Sequence, residues 1–277
     1  MPNDTQVALW DGAGGDRWVA EADRYDRMNR AFGERIVATA APEAGERVLD
    51  VGCGTGALAR AVAPLVEPGG SVLGLDISGV MLDEARRRAG DAGISNAAFE
   101  KGDAQVHPLP VAAFDLVVSR FGVMFFDDKS AAFTNLAVAT RPGGRIVFTC
   151  WQDASLQERK TVPAAAARPH LPGAAPPAVG LGHSLANRED TTALLRAAGF
   201  EQVEVTPCLE HQVVGATVAD AAAFVRDAEV EAMFSGARPA DVEAATAAIA
   251  AALESYLTVE GVALLGAAWL VTAERAS

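Results

Sequence analysis

Residues 48–57 read Val-Leu-Asp-Val-Gly-Cys-Gly-Thr-Gly-Ala and combine an apolar run, one carboxylate and three closely spaced glycines. The apolar residues favour a buried parallel strand, and residues 57–66 favour a helix. A turn containing Gly52, Gly54 and Gly56 would let a ligand approach the backbone closely, where N–H groups at the helix start could bind it. The stretch therefore predicts a strand–turn–helix unit that holds a ligand.

Two classes of ligand fit this glycine spacing. The pattern Gly52-x-Gly54-x-x-Ala57 is also a dinucleotide fingerprint, so the glycines alone do not separate a pyrophosphate from other ligands. Asp50 argues against a pyrophosphate, because a carboxylate about 6 Å from a phosphate charge costs roughly 3 kcal/mol at an effective dielectric of about 20. The same carboxylate would attract the ammonium and sulfonium groups of S-adenosylmethionine. A solvated or capping role for Asp50 stays open.

A second acidic residue, Asp76, ends the next predicted strand, residues 71–75. Ser78 then favours the N-cap of a helix over residues 79–88. Asp76 lies twenty residues after Gly56, close to the distance at which an acidic side chain reaches ribose hydroxyls. A carboxylate can accept from both hydroxyls and would reject a 2′-phosphate. The alternative is an acid that only favours the helix dipole.

With these acids in place, the region resembles motif I of the class I S-adenosylmethionine-dependent methyltransferases. It is similar to the small-molecule group that includes the ubiquinone and menaquinone biosynthesis methyltransferases, and the likeness covers residues 45–150 well. The resemblance implies that Ile77 and Met81 contact the adenine. It also implies that Asp103 accepts from the adenine amino group while the backbone N–H of Ala104 donates to the ring.

The resemblance extends to two residues on other elements. Arg120 follows the predicted strand over residues 114–118, where its carbonyl would hold the methionine end with the side chain turned away. Trp18 belongs to a leading helical segment that would cover the cofactor. The whole implied cofactor site comprises Trp18, Asp50, Gly52, Gly54, Thr55, Gly56, Asp76, Ile77, Met81, Asp103, Ala104 and Arg120.

Several of these residues also fit a purely structural role. Trp18 would then belong to an amphipathic helix packed on the core. Ile77 and Met81 would be core residues, and Asp103 would stabilise an Asx turn. Residues 123–126 either line the acceptor side of the site or pack internally.

The order of elements predicts an α/β fold: a doubly wound, mostly parallel, seven-stranded sheet of Rossmann-like type with a helical cap. Residues 1–277 would form a single methyltransferase domain. Segments 1–41, 152–187 and 215–257 would be cap or lid segments on it. We expect residues 259–272 to be a last strand at the sheet edge.

The predicted cap segment 152–187 contains two histidines, His170 and His183. Either could act as a general base in an active-site cap, or be a solvated loop residue. The sequence assigns no catalytic residue. It also predicts no metal site, since Cys53, Cys150 and Cys208 are widely spaced and form no metal-binding pair.

Composition limits the partners. The chain of 277 residues is 50% hydrophobic and carries a formal charge of -13, which opposes binding to nucleic acid or anionic membranes. Its N-terminus lacks a secretory pattern, and no apolar stretch is long enough to span a bilayer. We expect a cytoplasmic protein with a small-molecule acceptor; the oligomeric state is not predicted.

These observations favour methyl transfer from S-adenosylmethionine to a small, apolar acceptor by in-line displacement. Two alternatives stay open. An NAD-dependent oxidoreductase would retain the glycines and Asp76 but leave Asp50 and Asp103 unexplained. A non-catalytic cofactor-binding partner protein would bind the cofactor without turnover.

Overall fold

The computed structural model describes residues 3–174 and 181–276. Eight strands in this part of the chain form one sheet. Their bounds are β1 Arg47–Val51, β2 Ser71–Asp76, β3 Ala97–Lys101, β4 Phe114–Arg120, β5 Thr140–Trp151, β6 Phe200–Gly215, β7 Leu257–Thr258 and β8 Gly261–Arg275.

The sheet order is β3-β2-β1-β4-β5-β8-β6, and the two-residue strand β7 pairs with β8. Strands β1 to β5 pair in parallel, whereas β8 is antiparallel to both of its long neighbours. The predicted mostly parallel, doubly wound architecture with seven principal strands is confirmed. The expectation that the last strand lies at the edge is wrong. β8 lies between β5 and β6, and its long apolar run suits this inner position because Val262, Leu264 and Val271 are fully buried.

The helices flank this sheet and extend beyond it. Their bounds are α1 Asp4–Trp10, α2 Ala13–Ala20, α3 Ala22–Met28, α4 Arg30–Ala40, α5 Ala57–Val62, α6 Gly79–Asp91, α7 Lys129–Ala139, α8 Glu158–Ala167, α9 Arg188–Ala197, α10 Val218–Glu229 and α11 Pro239–Leu253. Among the described residues, none of these helices is long and apolar enough to cross a bilayer.

Two apolar clusters form the core around the sheet. One contains Ile36 of α4 and Leu58 of α5 with β1 and β2 residues, and the other contains Phe133 of α7 and Leu195 of α9 with β5 and β8 residues. Burial of this apolar area is the main stabilising contribution to the fold. The inner strands are thereby held rigidly, and their carboxyl ends form a fixed rim.

A third apolar cluster joins α3, α8, α10 and α11. Met28, Ala164, Val225 and Ile249 are buried in it together. The helices therefore come from all three segments expected to form a cap, although they are far apart in sequence. Residues 1–2 and 175–180 of these segments, like residue 277, lie outside the described residues.

Candidate functional site

A cleft of about 330 Å³ opens where β1, β2 and β4 end and continues between helices α3, α8 and α10. The rim of strand ends is where open α/β sheets bind ligands. Ten of the twelve residues expected to bind a cofactor line the cleft. These ten are Trp18, Asp50, Gly52, Gly54, Thr55, Asp76, Ile77, Met81, Ala104 and Arg120.

The turn after β1 depends on two glycines with left-handed backbones, Gly52 (φ 65°) and Gly54 (φ 53°). A Cβ on Gly52 would lie 2.7 Å from the Cα of Gly122, so the turn and the segment after β4 can approach only without a side chain. At Gly54 a Cβ would instead face the cleft, 3.6 Å from the sulfur of Met81 and 3.9 Å from Nε1 of Trp18. The missing side chain therefore leaves space for a ligand against the backbone.

Asp50 is the most unusual group in the cleft. The residue is 1% exposed, and neither carboxylate oxygen has a hydrogen-bond partner among the described residues. Burial raises the pKa of Asp50 to about 7, although the positive charge of Arg120 and the nearby backbone N–H of Ala59, which does not form a close hydrogen bond with either oxygen, oppose the shift. Because a buried, unpaired carboxylate is unfavourable, this position is suited to a cationic or hydrogen-bond-donating ligand.

Asp76 joins the glycine turn to the start of α6. Its Oδ2 accepts from the backbone N–H of Gly54 at 2.8 Å, and its Oδ1 accepts from the backbone N–H of Ser78 at 2.9 Å. Burial raises the pKa of Asp76, and these backbone hydrogen bonds oppose that shift. Each carboxylate oxygen can accept a further hydrogen bond, so Asp76 can hold the turn and still receive hydroxyl groups of a ligand.

Arg120 is directed toward the N-terminal helices. Its guanidinium lies 3.5 Å from the carboxylate of Asp26 and donates to the carbonyl of Asn29 at 3.4 Å. Burial lowers the pKa of Arg120, and Asp26 and Asp50 oppose this shift. The long distances indicate a weakly paired cation between the N-terminal segment and the strand rim.

Two residues of the implied site do not line the cleft. At Gly56 (φ 76°) a Cβ would lie 2.9 Å from the ring of Phe99 and 3.0 Å from the Cβ of Ala85, so this glycine serves close packing of α6 on the sheet. The carboxylate of Asp103 accepts from the backbone N–H and the side-chain amide of Gln105 at 2.9–3.1 Å. This is the Asx-turn alternative. Two of the three aspartates thus share the cleft, because local hydrogen bonds compete for the third.

The N-terminal helices supply an aromatic wall. Trp18 stacks on Tyr25 with ring centroids 3.9 Å apart, and Trp10 meets both Trp18 and Phe125 edge-on. Asp11 connects the N-terminal helices to the start of α6 and the end of β3. Its carboxylate accepts hydrogen bonds from the backbone N–H of Gly79 and from Nζ of Lys101, each at 2.6 Å.

The segment after β4 both packs and lines the cleft. Met124 and Phe126 are buried in the core, yet they line the cleft together with Phe125. Trp151, at the end of β5, stacks on Phe121 with ring centroids 3.7 Å apart and an interplanar angle of 13°. The cleft wall beyond the strand rim is therefore largely aromatic.

Three charged residues of α8 and α10 line the end of the cleft that is farthest from the strand rim. The sequence did not predict them as site residues. Arg159 and Lys160 of α8 line the cleft opposite Glu229 of α10. Arg159 pairs with Glu229, and its guanidinium carbon lies 4.8 Å from the centre of the Trp151 ring. Lys160 lies 3.5 Å from the same carboxylate. The available signal was an Arg-Lys pair shortly after a strand end in an otherwise Ala- and Pro-rich segment.

Gln212 of β6 is a further lining residue that sequence reasoning missed. It is 1% exposed, and its amide nitrogen donates to Oδ1 of Asn29 at 3.0 Å. Its own Oε1 is buried without a partner among the described residues. A polar residue in a strand gives no sequence signal by itself, because only the register of β6 on β8 places it at the cleft.

The two histidines of the cap differ. His170 is exposed and does not line the cleft, whereas His183 does. Nδ1 of His183 lies 2.7 Å from the carbonyl oxygen of Gln152. Because a carbonyl can only accept, the neutral ring carries its proton on Nδ1 and leaves Nε2 as an acceptor. Burial lowers the pKa of His183, and the Gln152 hydrogen bond opposes this.

Comparison with known proteins identifies the class of this site. The methyltransferase domain family matches residues 48–144, the part of the chain that contains the glycine turn, Asp50 and Asp76. Residues 48–144 therefore match a methyltransferase domain, and the predicted resemblance to the class I, S-adenosylmethionine-dependent, small-molecule methyltransferases is confirmed.

Particular relatives give the range of similarity. The chain is 40% identical over 129 residues, 45% of its length, to the aklanonic acid methyltransferase DauC of Streptomyces sp. (strain C5). It is 33% identical over 150 residues, 51% of its length, to the ubiquinone/menaquinone biosynthesis C-methyltransferase UbiE of Coxiella burnetii (strain RSA 331 / Henzerling II). These matches span 59% and 60% of the relatives' own lengths.

Solved structures show the same fold. One is the Haemonchus contortus phosphoethanolamine N-methyltransferase 2 in complex with S-adenosyl-L-methionine. It matches with a TM-score of 0.54 and 20% identity, over 88% of this chain and 52% of that one.

Proposed function

We propose that this protein transfers a methyl group from S-adenosylmethionine to a small, apolar acceptor bound toward the cap. The observation that carries the proposal is Asp50, a buried carboxylate with two unpartnered oxygens beside a glycine turn. An ammonium or sulfonium group satisfies such a carboxylate, whereas a pyrophosphate would be repelled by it.

The residues of the cleft fit this cofactor in four ways. Asp50 attracts its cationic end, and the free acceptor positions of Asp76 can receive ribose hydroxyls. Gly54 leaves the backbone open to the ligand. Trp18, Ile77 and Met81 provide apolar surface for a planar base. Gly52 supports the turn, and Gly56 supports the packing beneath it.

The roles of the remaining residues in this proposal are more local. Thr55 and Ala104 line the cleft, and the backbone N–H of Ala104 can donate to the base. Arg120 tunes Asp50 by its charge and ties the strand rim to α3. Asp103 contributes by holding the turn before Ala104.

The protein's part in the reaction is alignment and exclusion of water. The cofactor, when bound, supplies a methyl group on a sulfonium, which is transferred by in-line displacement. Trp10, Trp18 and Tyr25 line the cleft, and Phe125, which Trp10 meets edge-on, and Trp151 continue this aromatic lining. An acceptor held against these rings is positioned for attack with little water present, and such positioning can supply much of the rate enhancement.

We also propose that segments 1–41, 152–187 and 215–257 act together as one cap on a single domain. Their helices share one apolar cluster and supply the far wall of the cleft. The acceptor is therefore chosen by residues outside the part that matches the methyltransferase family.

Calorimetry tests the proposed function. Purified protein should bind S-adenosylmethionine saturably, and Asp50→Asn should weaken the affinity about tenfold or more, since a charge-assisted interaction is lost. Absence of saturable heat at millimolar cofactor would end the proposal. If NADH competes for the cleft and S-adenosylhomocysteine does not, the result would support the oxidoreductase alternative. If the protein binds the cofactor but methylates nothing in a broad acceptor panel, the result would support a non-catalytic partner protein.

A further inference from the structure

The far end of the cleft has an excess of positive charge. Two cations, Arg159 and Lys160, face one carboxylate, Glu229. The chain as a whole carries a formal charge of -13, so this arrangement contrasts with the rest of the molecule. The acids of the strand rim, Asp50 and Asp76, lie at the cofactor end, whereas the excess cation belongs to the cap.

The donors of these two cations are only partly used. Nε of Arg159 is buried without an acceptor among the described residues. Nζ of Lys160 lies 3.5 Å from Glu229, too long for a strong hydrogen bond. An ammonium has three donors, so Lys160 keeps the capacity to bind a further oxygen. Burying such donors without acceptors is unfavourable, which argues that the cleft is built for a group that supplies them.

A neighbouring group responds to this positive charge. Burial is the main cause that lowers the pKa of His183, and the charges of Lys160 and Arg159 lower it further. The hydrogen bond with Gln152 and the charge of Asp153 act in the opposite direction. The cations therefore act within the cleft as well as on Glu229.

The wall beside the two cations is aromatic. Trp151 stacks on Phe121 and lies under the guanidinium of Arg159, whose carbon is 4.8 Å from the ring centre, so both faces of this indole are covered. Phe125 lies next to Trp151, since a Cβ on Gly182 would be within 4 Å of both rings. Ligand sites combine mostly apolar walls with a few charged or polar groups, so this end suits an acceptor that is apolar apart from one charged group.

We propose that the cap end of the cleft binds an acceptor that is apolar apart from one carboxylate, and that this carboxylate pairs with Lys160 and Arg159. The proposal rests on the proposed function, because the cofactor end defines which end receives the acceptor. Glu229 holds the two cations in place but neutralises only one of them. The anion serves as an anchor that orients the acceptor in the cleft.

Matched probes test this inference in the complete protein. We would first measure S-adenosylhomocysteine binding by calorimetry, and then titrate 1-naphthoate and 2-naphthoate against the corresponding naphthamides with that product bound. The carboxylates should bind about tenfold more tightly than the neutral amides, as expected for one charge-assisted contact. The difference should shrink with added salt.

Three variants assign the effect to the cations. Lys160→Met should abolish most of the preference for the carboxylate, whereas Lys160→Arg should retain it. Arg168→Met removes an exposed cation from the same segment and should change nothing. Melting temperatures show whether each variant is folded, and the comparison of acid with amide in the unaltered protein needs no variant.

The outcomes separate the two proposals. If S-adenosylhomocysteine does not bind, the proposed function fails. If it binds but acid and amide bind equally, or neither binds at millimolar concentration, the anionic acceptor is wrong while the proposed function stands. If Lys160→Met and Arg168→Met lose the preference for the carboxylate equally, the anionic acceptor is also wrong, because the preference would then come from overall charge.

Discussion

At the scale of single residues, the chemistry of the cleft depends on titratable groups that are removed from water. Asp50 is buried with both oxygens unpartnered, and His183 is held by the Gln152 carbonyl beside two cations. The pKa of Asp50 is therefore raised and the pKa of His183 is lowered. Each shift can be measured.

Cofactor affinity should rise with pH. The pKa of Asp50 in the free protein is about 7, raised by burial from 3.8, and a cationic ligand favours the ionised form. Protonated Asp50 must lose its proton on binding, so affinity for S-adenosylmethionine should increase about tenfold between about pH 6 and about pH 8. Calorimetry at several pH values measures this. Asp50→Asn is the control and should bind weakly with little pH dependence; a flat profile in the unaltered protein would contradict the assignment.

The imidazole of His183 should titrate below its ordinary pKa of 6.5 and carry its neutral proton on Nδ1. Nitrogen NMR of the four histidines across the acidic range would show both properties, with His183→Gln used to assign the signal. His170, exposed in the same segment, is the matched comparison. Finding the proton on Nε2 would mean that the Gln152 contact does not orient the ring.

At the scale of elements, the cleft depends on how the N-terminal helices are fastened to α6. Asp11 joins them to Gly79 and Lys101, and Trp10 and Trp18 then reach the cleft. The hydrogen bond from Lys101 lowers the pKa of Asp11, opposed in part by burial. The carboxylate is therefore ionised at neutral pH, and this contact weakens only in acid.

Asp11→Ala should loosen the aromatic wall. We expect affinity for S-adenosylhomocysteine to fall about three- to tenfold, because one charge-assisted contact near the surface is worth about 1 kcal/mol. Calorimetry would measure the affinity, and the rate of proteolytic cleavage on the N-terminal side of Gly33 would measure how well the N-terminal helices are held. Asp16→Ala, at an exposed position of α2, should leave both unchanged. Equal effects of the two variants would show that the contact of Asp11 does not hold the wall.

At the scale of the whole molecule, three distant segments share one apolar cluster above the sheet. Ile249 is fully buried there, although it lies far along the chain from the glycine turn. If the cap and the sheet form one domain, damage to this cluster should destabilise the complete protein.

Ile249→Ala should lower the free energy of unfolding by about 2–4 kcal/mol, since a large buried side chain leaves a cavity. The unfolding curve should remain a single transition at a lower denaturant concentration. Val259→Ala, at a fully exposed position, is the control and should have almost no effect. Two separate transitions, only one of them shifted, would show instead that the cap unfolds independently of the sheet.

Local signals predicted the strand–turn–helix unit and the position of Asp76. The spacing of apolar residues distinguishes strands from helices, and glycine marks turns with left-handed backbones. Both signals can be recognised within a short stretch of sequence. The inner place of β8 was not visible in this way. An apolar run is compatible with either position, and only pairing with both β5 and β6 distinguishes them.

The sequence by itself determined the alternation of strands and helices, the glycine turn, two acids at the rim and the Asx turn that was one alternative for Asp103, because each depends on neighbouring residues. Tertiary structure alone decided that β8 lies between β5 and β6, and that Arg159, Lys160, Glu229 and Gln212 line the cleft. The physical reason is that a cap assembled from three remote segments brings side chains together through packing. No spacing along the chain records which of them will meet.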